Sequence, residues 1–301
     1  HLENFSEFEV DDEEEETTST VLDTRLSEAY SLFVDGRYSD SEKLRKSKEA
    51  WLKEFIFSYF QSVDRFSYST VIKDPFDFLM KNIVKKPFSS AALDFGGNVH
   101  NALEKIVLGK AKLKDYTDDE QKAIKNGLTV LEKLKNDNPG FAVQATELYQ
   151  KIPMKSLTTY NEKDNLLFTG KIDGVFKHDD GIILVDYKTD KNKNYASDHK
   201  KQLAVYKKMY SKLEKVPEDK IEAYVIYVAL RGGINTGTMD LQYDMGGKAG
   251  HFVKFEENLQ KVLEWKKNPD EFIKELLEKP TKDTFHEIIK GKLADSKTKS
   301  Q

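Results

Sequence analysis

The chain has 301 residues, a third of them charged and 38% hydrophobic, which predicts a globular protein with one large domain or two modest ones. The formal charge of -4 means that any polyanion would have to bind a local basic patch. No segment approaches the roughly 18 uninterrupted apolar residues of a membrane span, and none resembles a secretory signal. The absence of cysteine excludes disulfides, thiolate zinc sites, iron-sulfur clusters and cysteine nucleophiles. We therefore expect a cytoplasmic, intracellular protein.

The first half of the chain is predicted to be helical. It follows an acidic segment, residues 1–20, which should form an extended tail or linker because its like charges repel one another. Apolar residues then recur at intervals of three and four. This spacing predicts two helices over 22–63, a helix over 67–84 that breaks or begins again at Pro75, and helices over 91–109 and 117–136.

The second half changes to segments rich in Val, Ile, Tyr, Phe and Thr with short turns between them, which are typical of strands. These predicted strands cover 143–154, 166–177, 181–188, 221–230 and 236–244. Predicted helices cover 196–212, 253–267 and 270–278, and the Lys-rich end from Lys290 is expected to be loose. The pattern predicts an α/β core preceded by a large helical part.

The most informative segment is a predicted hairpin that carries three charged residues. Asp186 and Lys188 share one face of the second strand, directly after four apolar residues, and burying an unpaired charge there is costly. An antiparallel pairing would bring Asp173 of the first strand near Asp186. Two neighbouring carboxylates repel each other unless a cation lies between them, and Mg²⁺ prefers oxygen ligands. This arrangement predicts a metal site, with Lys188 placed to neutralise a phosphate oxygen or to position a water molecule. The alternative is a structural Asp186–Lys188 ion pair, with Asp173 in a turn.

Five short motifs occur along the chain in a characteristic order. They are Gly96 to His100 on a helix, Glu147 on the first core strand, Gly170 to Asp173, Val185 to Thr189, and Gln202 to Tyr206 on a helix. In this order they resemble the RecB-family nuclease domains of the PD-(D/E)xK superfamily, and the resemblance spans residues 67–245.

The resemblance implies a restriction-endonuclease-like core, in which a mixed central β-sheet is flanked by helices. It also implies Mg²⁺-dependent hydrolysis of DNA by an exonuclease in repair or recombination. By resemblance, Asp173, Asp186, His100 and the backbone carbonyl of Tyr187 would hold the metal. Mn²⁺ would be an acceptable substitute because both ions accept oxygen ligands. Lys188 would stabilise the developing charge, and Glu147 is a further catalytic acid. Gln202 and Tyr206 would support the site or contact DNA.

The resemblance also implies a domain division and a partner. The acidic tail at 1–20 would precede a helical part at 21–90, a nuclease core at 91–280 and a polar tail at 281–301. Relatives often follow a helicase motor of the UvrD or AddA type, and no phosphate-binding loop of a motor occurs in this chain. We therefore expect a motor in the same parent chain or complex, and association with the nucleoid. Many relatives also hold an iron-sulfur cluster that ties the ends of the domain together. Because this chain has Asp74–Pro75 where such relatives have Cys-Pro, packing alone is expected to join the ends.

Two other interpretations remain open at this point. One is a binding module that keeps the fold without catalysis, acting as a platform or DNA clamp. The other is an unrelated protein in which the hairpin match is accidental. Both would gain if Asp173, Asp186 and Lys188 lay far apart. Lys200 and Lys201, with other lysines on the same predicted helix, are candidate phosphate contacts, although an ordinary solvated helix face is the alternative.

Overall fold

The computed structural model describes residues 21–41, 51–84, 90–160, 165–230 and 243–280, together with 284, 286, 287, 289 and 290. The predicted acidic tail lies outside these residues, as do the predicted loose end beyond Lys290 and the first part of the predicted strand over 236–244. Within the described residues, no helix is both long and apolar enough to cross a membrane.

Apart from β1 (Arg65–Ser67) and the short helix α6 (Met154–Leu157), which the sequence did not predict, helices and strands follow one another in the predicted order. The helices are α1 (Val21–Val34), α2 (Trp51–Ser62), α3 (Pro75–Phe78), α4 (Ala91–Val107), α5 (Asp118–Asp137), α6 (Met154–Leu157), α7 (Ala196–Glu214), α8 (Ala249–Lys267) and α9 (Pro269–Glu278). The strands are β1 (Arg65–Ser67), β2 (Ala142–Pro153), β3 (Leu167–His178), β4 (Gly181–Lys188), β5 (Ile221–Tyr227) and β6 (Tyr243–Met245). The two predicted helices over 22–63 are confirmed as α1 and α2.

The predicted helix over 67–84 is wrong in its first part. Ser67 ends β1, which pairs in parallel with the start of β3. The Thr70 hydroxyl then accepts a hydrogen bond from the Ser67 amide at 2.7 Å, a local side-chain bond that competes with a helix. The helix begins instead at Pro75, where the missing amide costs nothing, and Asp74 accepts hydrogen bonds from the next two amides.

The strands form one six-stranded mixed sheet in which β3 has a divided edge. β2 runs antiparallel along one edge of β3 over nearly its whole length. The other edge is shared, because β1 pairs with residues 167–169 and β4 pairs with residues 174–178. β5 continues the sheet in parallel with β4, and β6 pairs antiparallel with β5. Residues 170–173 therefore lie between β1 and β4, with no strand partner on that edge among the described residues.

Helices cover both faces of the sheet, each over its own apolar cluster. On one face, Val99 of α4 and Ile124 of α5 belong to a cluster with Val185 of β4. On the other face, Leu203 of α7 and Leu259 of α8 pack in a cluster with their β4 and β5 neighbours. This arrangement confirms the predicted fold class, a mixed central sheet flanked by helices. Full burial of each large apolar side chain contributes about 1.5–3 kcal/mol.

The N-terminal helical part belongs to the second cluster and meets the last helices there. Phe60 of α2 packs edge-on against Phe272 of α9, with ring centroids 5.5 Å apart. Phe78 of α3 packs against both Trp265 and Phe272. Such tilted aromatic pairs each add about 0.5–1.5 kcal/mol beyond their buried area.

Packing is not alone in joining these ends, contrary to the expectation from the sequence. Asp74, which caps α3, also pairs with Lys279 directly after α9, at 2.8 Å between carboxylate and ammonium. The Asp74 carboxylate therefore accepts hydrogen bonds at the start of α3 and also forms an ion pair with a lysine that is distant in sequence.

Candidate active site

The divided edge of β3 creates the site. β3 pairs with β4 from Gly174 to His178, and the two strands separate on the Asp173 side of Gly174. There the Asp173 carboxylate takes the place of a strand partner. Its Oδ2 accepts a hydrogen bond of 2.7 Å from the backbone amide of Tyr187. Asp173 is 9% exposed and belongs to β3, so the alternative that placed it in a turn is wrong.

Three potential metal ligands from three elements converge beside this edge. His100 of α4, Glu147 of β2 and Asp173 of β3 each offer one ligand atom within 4.8 Å of the others. The His100 Nδ1 atom lies 3.3 Å from Asp173 Oδ2. The strand register brings Glu147 opposite Asp173, since the residues on either side of each are paired. We call these three residues the ligand trio.

Two neighbouring side chains, Tyr187 and Asp173, influence the orientation and the pKa of His100. The imidazole packs edge-on against the Tyr187 ring, with centroids 6.1 Å apart. Burial lowers the pKa of His100, but the hydrogen bond and charge of Asp173 outweigh this, and the pKa is raised overall. The Asp173 carboxylate therefore favours the protonated form of His100.

Glu147 has a strained backbone, with φ at 51° in the left-handed region that non-glycine residues rarely adopt. Such a conformation costs of order 1–3 kcal/mol and is concentrated at functional sites. Its carboxylate forms an ion pair with Lys171 of β3, whose pKa is raised chiefly by the hydrogen bond to Glu147.

Asp186 and Lys188 form the second charged pair of the site. The Lys188 ammonium lies 2.8 Å from Asp186 Oδ2 and donates a hydrogen bond of 3.1 Å to Oδ1. Burial raises the pKa of Asp186 to about 6, against the opposing effect of Lys188 and with a further rise from Asp173. Burial lowers the pKa of Lys188, but Asp186 outweighs this effect and raises it overall.

A short hydrogen-bonded chain from α7 holds Lys188 in place. The ammonium donates to Gln202 Oε1 at 3.1 Å, and Gln202 Nε2 donates to the Tyr206 hydroxyl at 2.8 Å. Burial raises the pKa of Tyr206 to about 12, so the hydroxyl stays neutral. The helix can approach β3 this closely because Gly170 lies beneath the Tyr206 ring, where an added Cβ would be 2.7 Å from a ring carbon.

The chemistry of these residues fits a divalent metal ion. Two carboxylates and an imidazole are oxygen and nitrogen donors of the kind that Mg²⁺ and Mn²⁺ accept. In addition, the buried Oδ2 atom of Asp186 has no well-oriented hydrogen-bond donor among the described residues, although Lys188 lies close to it. The Lys188 ammonium already compensates part of the charge on this oxygen, and a divalent ion would add to that compensation.

The structure brings together most of the residues predicted from the sequence. His100, Glu147 and Asp173 form the ligand trio. Asp186 is not a member of the trio, but it is near enough for the charges of Asp173 and His100 to act on it, and it forms an ion pair with Lys188. Gln202 contacts Lys188 and Tyr206 contacts Gln202, and the support of the site by these two residues stays a prediction. The roles of His100, Asp173, Asp186 and the Tyr187 carbonyl in binding a metal, and of Glu147 as a catalytic acid, stay predictions.

The candidate phosphate contacts on α7 are held by protein partners. Lys201 pairs with Asp198 at 2.6 Å, and Lys200 lies 3.4 Å from Asp244. Phosphate binding by Lys200 and Lys201 therefore stays a prediction, with an ordinary solvated helix face as the alternative.

The ion pair of Lys171 with Glu147 was missed by the sequence analysis. The signal was its position two residues before Asp173, because alternation along a strand puts both side chains on one face.

Comparison with known proteins gives one informative result. No curated protein matches the chain. The sequence pattern of the PD-(D/E)XK nuclease superfamily matches residues 66–295, which is more than half of the chain and includes every residue of the site. The chain therefore belongs to the PD-(D/E)XK nuclease superfamily.

Proposed function

We propose that the protein is a Mg²⁺-dependent deoxyribonuclease of the RecB family that degrades DNA from its ends. Membership of the superfamily implies phosphodiester hydrolysis with divalent metal ions. The choice of DNA ends, of Mg²⁺ and of a repair or recombination context is our proposal. The observation that carries it is the position of the ligand trio beside the buried Asp186–Lys188 pair.

In this proposal, His100, Asp173 and Asp186 hold the metal with help from the Tyr187 carbonyl. Glu147 is an additional acid, and its carboxylate lies within 4.8 Å of the His100 and Asp173 ligand atoms, so it can reach the same ion. A divalent ion at this position would lower the pKa of a bound water and neutralise charge on the phosphate. The Tyr187 amide fixes Asp173 at 2.7 Å, so the carboxylate is oriented before any ligand binds.

Lys188 is proposed to stabilise the charge that develops on the phosphate and to orient the attacking water. The ammonium is held by Asp186 and Gln202, and its side chain is 20% exposed. A cation in such a partly buried position acts more strongly than one in water and needs little rearrangement during the reaction.

We also propose that a helicase motor in the same parent chain or complex delivers the DNA, and that the protein acts inside the cell on the nucleoid. The acidic run at residues 11–16 supports this, since connectors between such domains are often charged and extended. The division into an acidic tail, a helical part, a core and a polar tail belongs to the same proposal.

The test compares linear single-stranded DNA, linear duplex DNA, circular single-stranded DNA and RNA of one sequence, each with Mg²⁺, Mn²⁺ or EDTA. The proposal predicts metal-dependent degradation of linear DNA, little action on circles or RNA, and loss of cleavage in Asp186→Ala and Lys188→Ala. Cleavage of circular DNA would indicate an endonuclease rather than an exonuclease. DNA binding without cleavage, retained in both variants, would favour the non-catalytic binding module.

A further inference from the structure

We propose that Lys171 binds a phosphate of the DNA substrate, and that a divalent ion at the ligand trio makes its ammonium available by competing for Glu147. This inference rests on the proposed function and adds a residue that the family resemblance did not assign. Its basis is the shared carboxylate. Glu147 is a member of the ligand trio and at the same time the ion-pair partner of Lys171.

The geometry places Lys171 at the mouth of the site. It stands on β3, two residues before Asp173 and on the same face of the strand. Its side chain is 56% exposed, whereas the Glu147 side chain is 19% exposed. Lys171 therefore forms its ion pair with the less exposed Glu147 carboxylate while much of its own side chain stays in contact with solvent.

The two lysines of the site are held in different ways. Lys188 is mostly buried and contacts both Asp186 and Gln202, so it is fixed near the reacting position. The ammonium of Lys171 has its ion pair with Glu147, and the more distant charges of Asp173 and Glu104 also favour its protonated form. A long exposed lysine with one close partner can change that partner at low cost.

Competition for Glu147 follows from electrostatics. A divalent ion held by the trio and an ammonium on the same carboxylate repel each other, and the ion takes most of the negative charge. Lys171 then loses its attraction to Glu147 while it stays charged at neutral pH. A DNA phosphate near the metal is the closest new anion that its exposed ammonium can neutralise.

This proposal predicts opposite effects of Lys171→Met on the two ligands. Without DNA, removing the competing ammonium should strengthen Mn²⁺ binding roughly fivefold, which is the scale of a partly exposed ion pair. With metal present, loss of a phosphate contact should weaken DNA binding and reduce the salt dependence by about one counterion. If Lys171 only supported the fold, Lys171→Met would weaken the binding of Mn²⁺ and the binding of DNA together.

The experiment measures Mn²⁺ binding by calorimetry and DNA binding by fluorescence anisotropy at several salt concentrations. Ca²⁺ replaces Mg²⁺ in the DNA experiment, and gels verify that the DNA stays intact. Lys171→Arg should behave nearly as wild type. Lys177→Met is the control, because this lysine is exposed on the same strand, pairs with Ala142 and lies away from the trio. Thermal melting confirms that each variant is folded.

Tighter Mn²⁺ binding together with weaker, less salt-dependent DNA binding in Lys171→Met alone is the expected result. If wild type binds Mn²⁺ and cleaves DNA but Lys171→Met matches it in both affinities, the role of Lys171 is wrong and the proposed nuclease stands. If wild type binds no Mn²⁺, both proposals fail.

Discussion

Charged side chains in this site depend on one another because they are buried together. Asp186 is 2% exposed and pairs with Lys188, and Asp173 is 9% exposed and lies beside His100, which is cationic only when protonated. Removing one partner of such a pair leaves the other charge uncompensated, which costs more than the pair contributes. A substitution at one charged residue of the site should therefore also change the pKa and the stability of the charged residues that remain.

Metal affinity should rise with pH. Burial raises the pKa of Asp186 to about 6, and the pKa of His100 is also raised, despite burial, by its bond to Asp173. Both groups must be deprotonated to bind a metal, so protons compete with the ion below their raised pKa values. Between pH 7.5 and pH 5 the loss of affinity should be about tenfold from Asp186 alone. Calorimetric Mn²⁺ titrations at both pH values check this, and a pH-independent affinity would contradict it.

Tyr206→Phe should reduce the catalytic rate more than the stability. The substitution removes the hydroxyl that accepts from Gln202, so Gln202 and with it Lys188 become less restrained. We expect a stability loss of about 1 kcal/mol and a fall in kcat of about tenfold with little change in KM. Single-turnover kinetics and thermal melting measure these effects.

The control for this variant lies one helical turn further along α7. Tyr210→Phe also removes a buried tyrosine hydroxyl, but Tyr210 has no contact with Lys188 or Gln202 among those that the structure describes. An equal loss of kcat in both variants would show that the helix as a whole, rather than the hydrogen-bonded chain, controls the rate.

At the scale of single residues, the sequence analysis named residues that the structure brings together and offered one of their contacts, the Asp186–Lys188 ion pair, as an alternative. Alternation along β4 placed Asp186 and Lys188 on one face, and the structure joins them in an ion pair. The strained backbone of Glu147 and its pair with Lys171 could not be predicted, because both depend on how β2 and β3 lie against α4.

At the scale of elements, the close approach of α7 to β3 should be sensitive to volume. Gly170→Ala would place a Cβ 2.7 Å from the Tyr206 ring, so the helix must shift and the substitution should destabilise the fold by about 1–3 kcal/mol. Because the same shift moves Gln202, activity should fall as well. Thermal denaturation and cleavage rates measure both effects.

Gly97→Ala is the matched comparison on α4. No atom lies within 4 Å of an added Cβ at Gly97, and alanine favours a helix over glycine by about 0.8–1 kcal/mol. This variant should be as stable as wild type or more so. If it lost as much stability as Gly170→Ala, the close contact beneath Tyr206 would not be the cause.

The elements that the sequence predicted well are those with a strong local pattern. The strand over 181–188 was predicted with its observed bounds, and α5 begins within one residue of its predicted start. β1 was missed because three residues carry too little pattern, and pairing with β3, about a hundred residues away, decides their conformation.

At the scale of the whole molecule, the topology of the sheet determines where chemistry occurs. β1 and β4 divide one edge of β3, which leaves Asp173 without a strand partner on that side among the described residues. The helix α4 brings His100 from one face, and α7 brings Gln202 from the other. No local pattern in the sequence predicts this division, whereas the order of the motifs predicted the fold class.

The measurement that tests the account most directly is single-turnover cleavage of end-labelled linear DNA by wild type, Asp173→Asn and Lys177→Met, with Mg²⁺ or with EDTA. The account predicts cleavage by wild type only with Mg²⁺, a loss of at least about a thousandfold in Asp173→Asn because the carboxylate fixed by Tyr187 is gone, and an unchanged rate in Lys177→Met. Cleavage by wild type in EDTA, or an undiminished rate in a folded Asp173→Asn protein, would contradict it.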